Sequence, residues 1–174
     1  METSTPDTSI KTGVDGKADF DDIYGRPDPR AYYSRLGSYD YEIPQHGKTV
    51  FQQILDVLPT DSPTVVDLCC SYGVNAALLK HDIELDELYD HYCSPDVAGL
   101  TSDALAQYDR QFYSDRRVPD APEVIGLDAA APAIEYALGV GLLDHGASED
   151  LETRDPSPGL ASAMSHTDLV TVTW

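Results

Sequence analysis

Residues 64–80 read TVVDLCCSYGVNAALLK, and the stretch divides into three pieces. Thr64 to Leu68 is a short β-branched run, Cys69 to Gly73 is a tight middle, and Val74 to Lys80 is helical in pattern. Strand, turn, helix is the unit from which parallel α/β sheets are assembled. The same order returns at residues 123–139, EVIGLDAAAPAIEYALG, where Val124 to Leu127 is apolar, Asp128 ends the strand and Pro132 sits where a first helical turn tolerates it. A third, weaker unit has a strand near Leu142 to Leu143 and a short helix within Gly159 to Met164. The text closes on DLVTVTW, strongly β-prone and alternating from Leu169 to Trp174. Three or four strands separated by helices predict an α/β fold with a Rossmann-like, doubly wound parallel sheet.

Working outward, residues 1–20 are rich in Thr, Ser, Asp and Gly and are expected to form a disordered tail, because they cannot bury enough apolar surface to offset ordering entropy. Residues 21–174 are then one domain. Asp21 to Tyr41 carries a Pro-Asp-Pro turn and an aromatic content that should pack on a core. Gly47 to Leu58 reads as an amphipathic helix with Val50, Phe51, Ile54, Leu55 and Leu58 on one stripe. Between the first two strand–helix units, residues 81–122 form an insertion longer than a crossover needs. It contains two helical stretches, the second capped by Thr101 or Ser102. Tyr89, Tyr92, Tyr108, Phe112 and Tyr113 supply its apolar mass, and its place in the fold predicts a helical lid near the carboxyl ends of the strands.

The 174 residues carry 11 Lys and Arg against 31 Asp and Glu, a formal charge of −20. Without a basic cluster, such a chain is not expected to hold a phosphate backbone, so nucleic acid is not an expected partner. A cationic substrate or a basic protein partner suits that charge better. No apolar run approaches the ~20 residues of a membrane helix, and the N-terminal text lacks the basic start and apolar core of a secretory signal. A cytoplasmic, soluble protein with no membrane partner is expected. Cys69, Cys70 and Cys93 suit neither a disulfide framework nor a zinc site, and the five histidines show no metal-type spacing, so thiols and no metal are expected.

In this architecture a nucleotide-like ligand crosses the turn after the first strand, and an acidic residue after the second strand meets its ribose. Asp67, Gly73 and Asp128 stand at those places. Here the chain resembles the class I S-adenosylmethionine-dependent methyltransferases, whose first motif is Asp-x-Gly-x-Gly-x-Gly. Asp67 and Gly73 match it, Cys69 and Ser71 stand at the first two turn glycines, and LDAAAPAIEYA is similar to the family's second motif. The likeness covers residues 60–80 and 123–138. DLVTVTW is similar to the fourth strand, and Asp21 to Leu58 looks like an N-terminal helical cap. A side chain at a turn position that requires positive φ costs about 1–2 kcal/mol.

The resemblance implies S-adenosylmethionine as cofactor, either retained or lost, held by Asp67, Ser71, Gly73 and Asp128. Tyr89, Tyr92 and His91 in the insertion would contact a small-molecule substrate, with His91 the one histidine placed for an acid or base role. The fourth strand of such enzymes is interior, whereas here the text reaches Trp174 with nothing to cover Leu169, Val170 and Val172. A second protein subunit completing the sheet is therefore expected. The expected function is that of a methyltransferase-fold subunit in an obligate complex, plausibly in bacterial natural-product biosynthesis, acting by methyl transfer or by another displacement such as a cyclisation. The alternative is a non-catalytic, methyltransferase-like partner that stabilises or gates an active subunit.

Overall fold

The structure is a computed structural model, and it describes residues 21–173. The expected tail at residues 1–20 lies outside the described residues. The chain runs α1 (Asp21–Tyr24), α2 (Arg30–Gly37), α3 (Ile43–Leu55), β1 (Thr64–Leu68), α4 (Val74–Lys80), α5 (Leu85–Cys93), α6 (Pro95–Ala98) and α7 (Ser102–Ser114). It continues through β2 (Glu123–Leu127), α8 (Ala131–Gly139), β3 (His145–Ala147), α9 (Pro158–Ala163), a 3-10 turn at Met164–His166, and β4 (Leu169–Val172). The four strands form one sheet in the order β3-β2-β1-β4, and every pairing is parallel. Asp67 stands opposite Gly126 on one side and Thr171 on the other. The fold is thus the parallel α/β sheet that the strand–helix alternation predicts.

The two faces of the sheet are covered unequally. Val65 and Val124 point into the main core, with α4, α8 and the inserted helices, and each is completely buried. Val66, Ile125 and Leu127 point the other way, where Leu160 of the short α9 covers them. α4 is buried at all seven positions, Lys80 included. A lysine at 0% exposure is tolerable only with partners. Its Nζ donates to Leu142 O at 2.8 Å and to Asp144 Oδ2 at 2.7 Å, while burial pulls its pKa below the ordinary value.

The insertion shares the main core. Leu85, Leu88, Val97, Leu105 and Tyr113 are all at most 2% exposed and belong to the same cluster as the sheet's inner face. Thr101 caps α7, its Oγ1 accepting the Ala104 N–H. Two cations staple the insertion to the N-terminal helices. Arg30 lies on the Asp28 carboxylate and donates to the carbonyls of Val97 and Leu100. Lys48 donates to Ile83 O and pairs with Glu84 at 2.6 Å.

Two elements differ from the sequence reading. α3 begins at Ile43, because Pro44 fits the first turn of a helix, and its buried residues are Pro44 and Lys48. Phe51 and Leu55 pack on the core, while Val50 and Ile54 are exposed. The third strand is His145–Ala147 rather than Leu142 to Leu143. The N–H groups of both leucines bond back to Ala137 O at the end of α8, so they cannot enter a ladder, and Asp144 N, bonded to Val124 O, leads into β3.

Candidate functional site

β1 carries Asp67 to the carboxyl edge of the sheet, on the α4 side. Its carboxylate is fully buried, with Oδ1 accepting from Asn75 Nδ2 and Thr171 Oγ1, each at 2.8 Å, while Oδ2 has no hydrogen-bond partner among the described residues. Burial pushes its pKa up to about 6, against the lowering effect of those two hydrogen bonds. Asn75 in turn accepts from Thr173 Oγ1 at 3.1 Å. A closed polar set therefore joins β1, α4 and the end of β4.

The turn that follows has an alternating backbone. Cys69, Ser71 and Gly73 have φ of 55°, 50° and 80°, the left-handed region in each case. Glycine reaches that region at no steric cost, whereas Cys69 and Ser71 store strain of order 1–3 kcal/mol each. Gly73 is also closely packed, since a Cβ there would stand 3.3 Å from the Cβ atoms of Ala137 and Leu142. Ser71 is buried and its Oγ has no hydrogen-bond partner among the described residues, but its N–H donates to Asp128 Oδ2 at 2.8 Å. Asp128 Oδ1 accepts the Ala130 N–H at 2.9 Å. Asp128 thus ties the turns after β1 and β2 together. Tyr72 points its hydroxyl at the carbonyls of Ile23, Tyr24 and Arg26, at 2.8, 3.2 and 3.0 Å, and so fixes the N-terminal segment over the turn.

The residues expected to contact substrate lie elsewhere. Tyr89 donates to Tyr41 O at 2.8 Å and lines a cavity of about 320 Å³ with Tyr41, Asp86 and Cys93. Tyr92 is buried, its hydroxyl 2.8 Å from those of Tyr113 and Tyr136. His91 lines a different cavity, of about 310 Å³, and its Nε2 meets Asp109 Oδ1 at 2.7 Å. A chain of groups runs from the β1 turn to the insertion. The Tyr72 ring meets Tyr136 edge-on at 5.9 Å, the Tyr136 hydroxyl donates to Asp109, and Asp109 holds His91.

Asp67, Ser71, Gly73 and Asp128 converge on one turn, and Tyr89, Tyr92 and His91 do not join them. The sequence reading missed Asn75, Thr171, Asp109 and Tyr136. Asp109 shares the four-residue stripe of Leu105 and Tyr113, the buried face of α7, but its polar neighbours Gln107, Tyr108 and Arg110 obscure that signal. All three cysteines are thiols, and no group of His, Cys, Asp or Glu suited to a metal occurs among the described residues. No helix among the described residues is long and apolar enough to cross a membrane. No family model, no curated protein and no solved structure matches the chain, so any functional reading stands on these residues and their geometry.

Proposed function

We propose that this chain is a methyltransferase-type α/β subunit that holds a nucleoside-bearing methyl donor at the β1–α4 turn and acts on a small molecule together with a second protein. One observation carries the reading. The three positions at which the methyltransferase motif places glycine, here Cys69, Ser71 and Gly73, all keep a left-handed backbone, although two of them bear side chains. Strain of this kind persists where the surroundings over-determine it, and such places cluster at ligand sites. Asp67 Oδ2 in β1 and Ser71 Oγ in the turn, two buried polar atoms without a hydrogen-bond partner among the described residues, lie beside that backbone. S-adenosylmethionine bound there supplies a methyl group that passes to a nucleophile's lone pair while the bonding pair stays on sulfur. Asp67, Ser71, Gly73 and Asp128 would hold it, and the residues' own contribution is alignment.

The second protein is supported by what lies uncovered. Among the described residues β4 pairs with β1 alone, Val170 is 53% exposed and Val172 40%. α3 adjoins that edge, since the methyl of Thr173 limits the space at Gly47, and its Val50 and Ile54 also face outward. An apolar, basic partner would match both this surface and the charge of −20.

A second reading, a non-catalytic relative that gates an active subunit, is favoured by Asp128, whose two oxygens already accept backbone N–H groups. Calorimetry with S-adenosylmethionine and S-adenosylhomocysteine decides between them. Saturable binding, made tighter in the double variant Cys69→Gly/Ser71→Gly by removal of two Cβ atoms, supports the first reading. Restored glycines should also raise stability by about 1 kcal/mol per relieved residue. Absence of binding in both proteins, together with a co-purified partner whose activity survives Asp128→Ala, would replace the first reading with the second.

A further inference from the structure

The insertion holds a buried histidine seated on a buried carboxylate, joining α5 to α7. The His91 side chain is 7% exposed, and Asp109 beneath it is 0% exposed. Asp109 is fully engaged, with His91 Nε2 on Oδ1 and the hydroxyls of Tyr92 and Tyr136 on Oδ2. Facing a carboxylate, Nε2 donates, and Nδ1 is the ring nitrogen left for another partner. Nδ1 has no hydrogen-bond partner among the described residues and is not sealed from solvent. The ring is clamped, stacked on Phe112 at 3.9 Å, parallel to Tyr108 at 5.6 Å and edge-on to Tyr92 at 4.7 Å. A fixed ring, one nitrogen on a buried acid and the other bare is the geometry of a positioned acceptor.

The cavity that His91 lines says what would meet that nitrogen. It measures about 310 Å³ and opens widely to solvent, so it would take one face of an aromatic ring rather than enclose it. Tyr108 and Phe112 give it aromatic walls, and Glu87, Asp90 and Asp96 stand around it. Arg116 is the one Lys or Arg in the lining among the described residues, and it is occupied, its guanidinium 4.0 Å over the Phe112 ring and its NH1 donating to Phe112 O. Three carboxylates beside aromatic faces favour an organic cation.

We propose that this groove is a site for a small primary amine carrying an aromatic or flat apolar body, with His91 Nδ1 accepting one of its N–H groups. The amine binds as ammonium among the three carboxylates and donates that hydrogen bond, while the Nε2 side of the ring stays on Asp109. The site is built from α5, α6 and α7 and does not rest on a methyl donor at the β1 turn.

Titration of the full chain with 2-phenylethylamine, followed through the imidazole nitrogen and carbon-bound proton resonances of His91, tests the proposal, with phenylacetate as the charge-reversed control. The expected result is a saturable shift of the His91 Nδ1 resonance with the amine and none with the acid. His91→Gln, which keeps a polar side chain, should weaken amine binding at least tenfold while leaving the melting temperature near that of the parent. Asp109→Asn should change the His91 tautomer in the same spectra; should it not fold, the His91→Gln comparison alone decides. An unmoved His91 throughout the titration, equal shifts from both probes, or undiminished affinity in His91→Gln would overturn the proposal. Neither probe is a methyl donor, so failure here leaves the reading of the β1 turn standing.

Discussion

Asp67 and His81 pull the pH dependence of stability in opposite directions. Burial raises Asp67 to about 6, above its ordinary 3.8, so the folded chain binds this proton more tightly than the unfolded one. Its contribution is complete at low pH and is lost as pH rises through about 6, a loss of about 3 kcal/mol by neutral pH. His81, its Nδ1–H on Ala77 O, is lowered by burial from 6.5 to about 4, so its contribution is present above 6.5 and lost as pH falls through 4. Asp67→Asn removes the first effect and leaves the second. Its urea midpoint relative to the parent should climb from pH 4 to pH 6.5, and a flat difference would show that Asp67 ionises normally in the fold. The identity of Asp67 as the acid ending β1 was legible in the sequence. Its bonds to Asn75 and Thr171 were not, because they depend on the β1–β4 register and on which side of α4 faces the strand. Asp109 was hidden for a related reason, since a carboxylate among Gln107, Tyr108 and Arg110 reads as solvated until the helix has neighbours.

At the level of the elements, β1, β2, α4 and α8 were legible because a β-branched or apolar run, a small turn and a helical pattern coincide in each. β3 was not. His145–Ala147 has no β-prone residue and pairs only because β2 supplies a ready edge. α3 was legible as a helix but not in its orientation, since an apolar stripe says that a face will be covered without saying by what. Gly126, in β2, bears close packing that a composition reading cannot show. A Cβ there would come within 2.8 Å of Cys70 Sγ and closer still to Leu143 Cδ1. Gly126→Ala should therefore destabilise by about 2–3 kcal/mol through overpacking, which calorimetry would read as a melting temperature lower by roughly 4–12 °C. An unchanged melting temperature would mean that β2 and the β3 approach are more yielding than this contact implies.

For the whole molecule, a charge of −20 over 174 residues sets a self-repulsion that ordinary salt screens. Raising sodium chloride from about 0.1 M to 1 M, which shortens the screening length from roughly 10 to 3 Å, should raise the urea midpoint. A fall would show that staples such as Lys48 on Glu84 and Arg30 on Asp28 outweigh the repulsion. The ammonium of Lys80 has a consequence of a different order. Its counter-ion, Asp144, stands 64 positions later in the chain, and the same carboxylate oxygen takes the N–H of Val124. Lys80 cannot meet this counter-ion until the segment after α8 has docked, so burial of α4 and seating of the approach to β3 are one step, and loss of either loosens the other.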